Sequence, residues 1–248
     1  MRFREFYHKS IHYKIGGSAY TCACKRIIEL REELEGYLKI HSEFMDSLVP
    51  VTPLGNPPLI ARRMMDASRI TGLGPMASVA GVIAQMTCER VRQQENMPSV
   101  LDNGGDLFLD SEKDLSLGIY GGENLLEGKL AFRIPVDMMP LAVCSSSGIM
   151  GHSLSFGHCD LATVFSKDGA LADSAATLAG NLVKSPSDLK KAVNHILNIP
   201  GIEGVFLLKG DQIGLGGRLP EIISSRDPDI KAKVTRDRSR RSSFTMGK

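Results

Sequence analysis

Tryptophan is absent from the 248 residues, and aromatic residues make up only 6% of them. A core built from this chain must therefore lean on Leu, Ile, Val, Ala and the 11 Met residues. No run approaches the roughly 18 uninterrupted apolar residues of a membrane span. The first residues, MRFREFYHKSIHYK, are charged and aromatic, without the apolar stretch and small-residue cleavage site of a secretory signal. Cysteine is scarce as well. Five of them, an odd number without regular spacing, argue against a secreted disulfide scaffold and for free thiols in a reducing compartment. The expectation is a soluble cytoplasmic protein with no membrane association.

What is present suffices for a folded protein, since 42% of the residues are apolar. The length suits one domain over residues 1–225, divisible into two intimately packed halves. The net charge of +2 hides an asymmetry: residues 226–248 carry eight Lys or Arg against three Asp, a balance of +5, which leaves −3 for the body. That basic tail lacks interleaved aromatics apart from Phe244, so a solvated terminus is expected and a nucleic-acid site is not.

Alternation over residues 5–24 with Gly16-Gly17 at its centre predicts a hairpin, and Cys22 to Cys24 fall on its second strand. Apolar positions Ile27, Ile28, Leu34, Leu38 and Phe44 predict a helix from Lys25 to about Leu48, broken near Gly36 or His41. The segment VPVTPLGNPPL has four prolines in eleven residues and must be a loop. Helices are expected after Pro58 and from Pro75 to about Glu95. Strands follow in SVLDNGGDLFLD, LSLGIY, KLAFRIPV, LAVCSS and DLATVFSK, with turns at Asn103-Gly104-Gly105, Gly121-Gly122 and Glu127-Gly128. ADSAATLAGNLV and SPSDLKKAVNHIL read as helices, and GVFLLKGDQIGLGG as a hairpin turning at Gly210-Asp211. Sequential strands with short turns predict an antiparallel sheet, hence an α+β fold.

Three polar clusters carry the candidate chemistry. Asn103-Gly104-Gly105-Asp106 combines a turn free of Cβ atoms with donors and acceptors that a ligand or the turn itself can use. Ser145-Ser146-Ser147-Gly148, His152, Ser155, Gly157 and Asp160 gather hydroxyls, imidazole and glycine between two apolar strands. A triad of Ser146, His152 and Asp160 is conceivable, but no Gly-x-Ser-x-Gly elbow accompanies it. Asp173 and Thr177, four apart, share one helix face and can either hold a hard cation such as Mg2+ or serve as a helix cap. Gly72 to Ala77 imitates a dinucleotide fingerprint without a preceding strand; its helix N-terminus can still face an anion.

Taken together and in this order, NGGD at 103–106, SSSG at 145–148 and ADSAAT at 172–177 resemble the ApbE-like superfamily over roughly residues 70–182. The further pattern Ser146-Ser147-Gly148, Gly151-His152-Ser153, Ser155-Phe156-Gly157 and Asp160 resembles a smaller ApbE-like family of methanogens and other anaerobes. The resemblance implies a duplicated T-fold-like α+β architecture of antiparallel sheets packed with helices. It also implies that residues 103–106 and 145–160 line a site for an anionic small molecule, a nucleotide or flavin such as FAD or FMN, with Asp173 and Thr177 on Mg2+. Flavin transfer or FAD hydrolysis is one implied activity. A binding role in anaerobic sulfur assimilation toward homocysteine is another, with Cys144 or Cys159 open to a sulfur-relay role, and a non-catalytic accessory subunit is a third. Expected partners are the small molecule, a protein of sulfur metabolism and a second copy of the chain. Two positions depart from the flavin-transferase pattern: Ala77 stands where a lysine is expected, and Gly151 to Asp160 replaces a His-x-x-Asp-Pro segment. Whether the chain is an enzyme is left open by the sequence.

Overall fold

A computed structural model describes residues 1–120, 129–148 and 158–225. The turns at Gly121-Gly122 and Glu127-Gly128, the residues Gly151, His152, Ser153, Ser155, Phe156 and Gly157, and the basic tail lie outside the described residues.

The chain opens with a hairpin of β1 (Phe3–His8) and β2 (Ile11–Gly16). Its turn falls at Lys9, in the left-handed region at φ 55°, and not at Gly16-Gly17 as the sequence predicts. The long helix α1 (Tyr20–Ile40) therefore begins before Cys22, which places Cys22 and Cys24 on a helix instead of a strand. The cause is the stripe Ala23, Ile27, Leu30, Leu34 and Leu38, which buries one side of the helix against the core. The helix ends at His41, and a single turn α2 (Glu43–Asp46) follows. Beyond the proline loop come α3 (Leu59–Thr71), a 3-10 turn at Pro75–Ser78 and α4 (Val79–Glu95).

The second part of the chain forms β3 (Ser99–Asn103), β4 (Asp106–Asp110), β5 (Leu115–Gly118), β6 (Leu130–Ile134), β7 (Leu141–Ser146) and β8 (Leu161–Ser166). Helices α5 (Gly169–Leu182) and α6 (Leu189–Leu197) precede the hairpin β9 (Ile202–Lys209) and β10 (Gln212–Gly217) and the short β11 (Glu221–Ser224). Every strand pair is antiparallel, so the α+β class holds. The strands do not pair simply in chain order. One sheet runs β1-β2-β3-β4-β7-β8-β9-β10, and a second, smaller one runs β11-β6-β5.

The large sheet is a duplication. Two strands, helices and two strands make the first half, β1 to β4; the same order makes the second, β7 to β10, and β5 and β6 are inserted between them. The halves meet along β4 and β7, where Leu107 lies opposite Val143 and Leu109 opposite Leu141. Helices cover one face of the sheet with a core that includes Tyr13, Leu101, Phe108, Cys144, Val164 and Leu207. The small sheet covers the other with Val100, Val143, Phe165, Phe206 and Phe132. Phe132 meets Phe165 and Phe206 edge-on at 5.1 and 5.4 Å. All six residues of β8 are buried, which explains why LATVFS lacks a polar alternation.

α5 is capped by Asp168, whose Oδ1 accepts from the Leu171 amide at 3.0 Å. Asp168→Ala is expected to lower stability by about 1 kcal/mol, measured by denaturant unfolding at unchanged slope.

Candidate functional site

The polar residues collect where the two halves join. Asn103 closes β3, and its side-chain amide donates to the Ala80 carbonyl in the first turn of α4 at 3.1 Å. Gly104 and Gly105 take φ 73° and 108°, and the Asp102 carboxylate accepts from the Gly105 amide at 2.9 Å, so NGGD is a hairpin turn. Asp106 begins β4. Its Oδ1 accepts from the Ser145 amide on β7 at 3.1 Å, across the seam.

The serine run divides by strand alternation. Cys144 belongs to the core on the helix side, and Ser146, two residues on, shares that side. Ser146 Oγ is buried and has no hydrogen-bond partner among the described residues. Ser145 points the other way and shares a 2.9 Å hydrogen bond with Thr163. The Gly148 amide donates to the Cys159 carbonyl at 2.9 Å and fixes the end of the strand. Ser147 is buried beside it.

Asp173 and Thr177 are both buried on α5. Asp173 Oδ2 accepts from the Gly81 amide at 2.8 Å, and the Ala80 amide also contributes to holding its carboxylate. These amides belong to the first turn of α4, not to Asp173's own helix. The capping reading is redirected: Asp173 caps a helix of the opposite half, while Asp168 caps α5 itself. The helix N-terminus expected near Gly74 to Ala77 starts later, at Val79, and the anion it receives is this carboxylate.

The approach requires glycine on both sides. A Cβ on Gly81 would lie 2.1 Å from the Gly169 carbonyl oxygen and 2.8 Å from Asp173 Cβ; one on Gly169 would lie 2.5 Å from the Gly81 oxygen. α4 and α5 therefore touch backbone to backbone, which is what brings Asp173 within reach of α4. Neighbouring Thr71 and Ser174 share a 2.7 Å hydroxyl contact that ties α3 to the same helix.

The site is electrostatically loaded. Burial, more than the Gly81 and Ala80 amides can offset, raises Asp173 to about 7. Asp106 keeps part of its residue surface open, yet its carboxyl group is desolvated and is pushed well above the usual carboxylate range, with the Asp173 charge as the next cause. Among the described residues no lysine or arginine forms an ion pair with either. The Cys144 thiol donates to the Gly169 carbonyl at 3.8 Å, and its pKa is raised by burial and then by the Asp106 and Asp173 charges.

Asp160 is placed differently. Its two oxygens accept from Lys209 Nζ at 3.0 Å and from the Gly210 amide at 2.7 Å, so it braces the β9–β10 turn. His152, Ser155 and Gly157 lie outside the described residues, and the Ser146, His152 and Asp160 grouping cannot be built from them. Among the described residues no group of three or more His, Cys, Asp and Glu forms a metal cluster; the oxygen donors here are two carboxylates and hydroxyls. A cavity of about 300 Å³ between α1 and α4, lined by Cys22, Lys25, Arg90 and Gln94, lies at the opposite end of α4 from Asp173.

The sulfur-relay reading of the cysteines meets an obstacle. Cys144 and Cys159 are buried, and burial raises the Cys159 thiol to about 11, the reverse of an activated nucleophile. In native protein only Cys22 and Cys24 are expected to react with a thiol reagent, and all five after denaturation. A reagent titration checks this.

Comparison with known proteins fits this architecture. Residues 12–198 match the family model described as AbpE bacteria. A UPF0280 protein of Archaeoglobus fulgidus is 39% identical over 208 residues, covering 82% of this chain and 85% of the relative. One of Methanocaldococcus jannaschii is 36% identical over 223 residues, covering 87% and 90%. Among solved structures, the flavin transferase ApbE of Vibrio cholerae superposes with TM-score 0.55 at 9% identity, covering 93% of this chain and 98% of that one. The apo flavinyl transferase ApbE of Pseudomonas stutzeri gives 0.56 at 10% identity, covering 94% and 97%. Likeness at that identity speaks for the fold. Among the described residues no single helix is long and apolar enough to cross a membrane.

Proposed function

The chain belongs to the family described as AbpE bacteria, and on that premise we propose that it binds an anionic small molecule of the nucleotide or flavin class, with a divalent cation, at the seam of its two halves. One arrangement carries the reading: Asp106 accepts from the Ser145 amide across the seam, Asp173 accepts from the Gly81 amide of the opposite half, both carboxyls are desolvated, and no lysine or arginine of the described residues forms an ion pair with either. Two like charges so placed are stabilised by a hard cation, which takes oxygen ligands and leaves positions for phosphate or water. Asp173 and Thr177, one turn apart on α5, together with Asp106 of the other half, would hold Mg2+. When bound, it would neutralise phosphate charge and polarise a phosphoanhydride. The turn at Asn103 to Asp106 and the serine segment at Ser145 to Gly148 would flank the guest, with the unpartnered Ser146 Oγ as a donor to it.

The Vibrio cholerae and Pseudomonas stutzeri proteins of similar fold are flavin transferases, and FAD-dependent flavin transfer or FAD hydrolysis is the rival reading. Ala77 stands where a lysine that would help hold the cofactor is expected, and the His-x-x-Asp-Pro segment is replaced, which weighs against flavin transfer and leaves a phosphate without that positive partner. We place the activity in anaerobic sulfur assimilation on the strength of the family resemblance, either by binding a phosphorylated or carboxylated intermediate or as an accessory subunit to a sulfur-metabolism protein.

Thermal melts with FMN, FAD or ADP, each with and without Mg2+, test the binding reading. A ligand at 100 times its Kd adds about 2.7 kcal/mol, and the melting midpoint is expected to rise by roughly 5–11 °C only when ligand and Mg2+ are both present. No rise with any combination contradicts it. Chromatography of the FAD mixture separates the rival: FMN or AMP in solution means turnover, and intact FAD means binding alone.

A further inference from the structure

β10 is the last strand of the large sheet and pairs only with β9, in unbroken register from Gln212 opposite Lys209 to Gly217 opposite Gly204. Its outer row of backbone donors and acceptors has no ladder partner among the described residues. Proteins blunt such edges with lysine, proline, bulges or inward charges. The strand Gln-Ile-Gly-Leu-Gly-Gly has none of these.

Its two faces are unequal. Toward α6 it presents Gly214 and Gly216, where a Cβ would lie 3.1 Å from Leu189 Cβ and 2.8 Å from Leu197 Cδ1. Away from α6 it presents Ile213 and Leu215, 38% and 55% exposed. The opposite edge of the sheet, β1, differs by carrying Arg4, Glu5 and His8.

We propose that β10 pairs antiparallel with β10 of a second copy about a two-fold axis at Gly214, joining two eight-stranded sheets edge to edge. The register follows from strand alternation, since residues opposite each other must lie on the same face. Centring on Gly214 sets Ile213 of each copy opposite Leu215 of the other, so one contact occurs twice and covers both exposed side chains. Gln212 then lies opposite Gly216. A strand without charge meets its own copy free of like-charge contacts, whereas β1 would bring its charged residues to any junction. An isologous junction of this kind closes at two copies. The contact is independent of the Asp106 and Asp173 site.

Sedimentation or light scattering of the full chain at tens of micromolar tests the proposal. The expected result is twice the chain mass for the wild type, the chain mass for Ile213→Lys and Leu215→Lys, and an undisturbed dimer for Phe3→Lys on β1. Register is tested separately by cross-linking. Mild oxidation of an equal mixture of Ile213→Cys and Leu215→Cys proteins is expected to give mixed disulfide dimers faster than either protein alone. A monomeric wild type overturns the proposal, as does a dimer that survives both lysine substitutions and shows no preference for the mixed cysteine pair.

Discussion

Protein stripped of divalent ions with EDTA is expected to lose stability as the pH rises from 5 to 8, and Mg2+ is expected to restore it only at the upper end of that range. The folded state raises both carboxyls: Asp173 to about 7, from an ordinary value of 3.8, and Asp106 in the same direction. A group raised on folding favours the native state below its unfolded pKa, and that favour is lost as the pH climbs through its folded pKa. The loss should begin above about pH 4 and extend through 7. For Asp173, whose rise comes from burial, a displacement of about three pKa units corresponds to at most roughly 4 kcal/mol. Cation binding needs the ionised carboxylates, so its contribution grows in the opposite direction. Asp106→Asn removes the like charge, and should flatten the EDTA profile, raise the midpoint at pH 8 and weaken the response to Mg2+. Melting curves across pH, with and without Mg2+, measure all three effects. An EDTA profile that is flat, or that rises toward pH 8, speaks against a buried carboxyl pair at the seam.

Gly81→Ala should destabilise the fold strongly despite adding a single methyl group. The new Cβ would sit 2.1 Å from the Gly169 carbonyl oxygen, and backbone cannot swing aside as a flexible side chain can. Overpacking of this kind costs about 1–3 kcal/mol, and a contact this short belongs at or beyond the upper end. For a chain of this size that is a midpoint drop of roughly 6–12 °C. Because Gly81 also donates to Asp173, separation of α4 from α5 should abolish the Mg2+ response as well. Gly72→Ala is the comparison, since Gly72 has φ 75° but nothing near its Cβ position; it should lose stability through its backbone while keeping the cation response.

Local signals account for much of the architecture. Prolines at 58 and 75 announce the helices behind them, and the turns at Gly104-Gly105 and Gly210-Asp211 are readable because glycine admits the backbone they require. The N-terminal turn was hidden because a lysine occupies its left-handed position. No turn or alternation signal marks β11, and the separation of β5 and β6 into a second sheet depends on packing against the far face of the large one. In the site, adjacent serines look equivalent in the sequence, and only strand phase sends Ser146 to the helix side and Ser145 to Thr163. The partnership of Asp106 with Asp173 is a product of the duplication. Each sits in a different half, and the close contact of Gly81 with Gly169, which no local pattern signals, brings α5 to the start of α4.

Native mass spectrometry of untreated protein, before and after EDTA, puts the seam site to the most direct test. Wild-type protein should carry a divalent ion and an anionic adduct of nucleotide or flavin mass, both shed on chelation, and folded Asp173→Asn protein should carry neither. Identical spectra from the two proteins, or an adduct that survives EDTA unchanged, would contradict a cation held by Asp173.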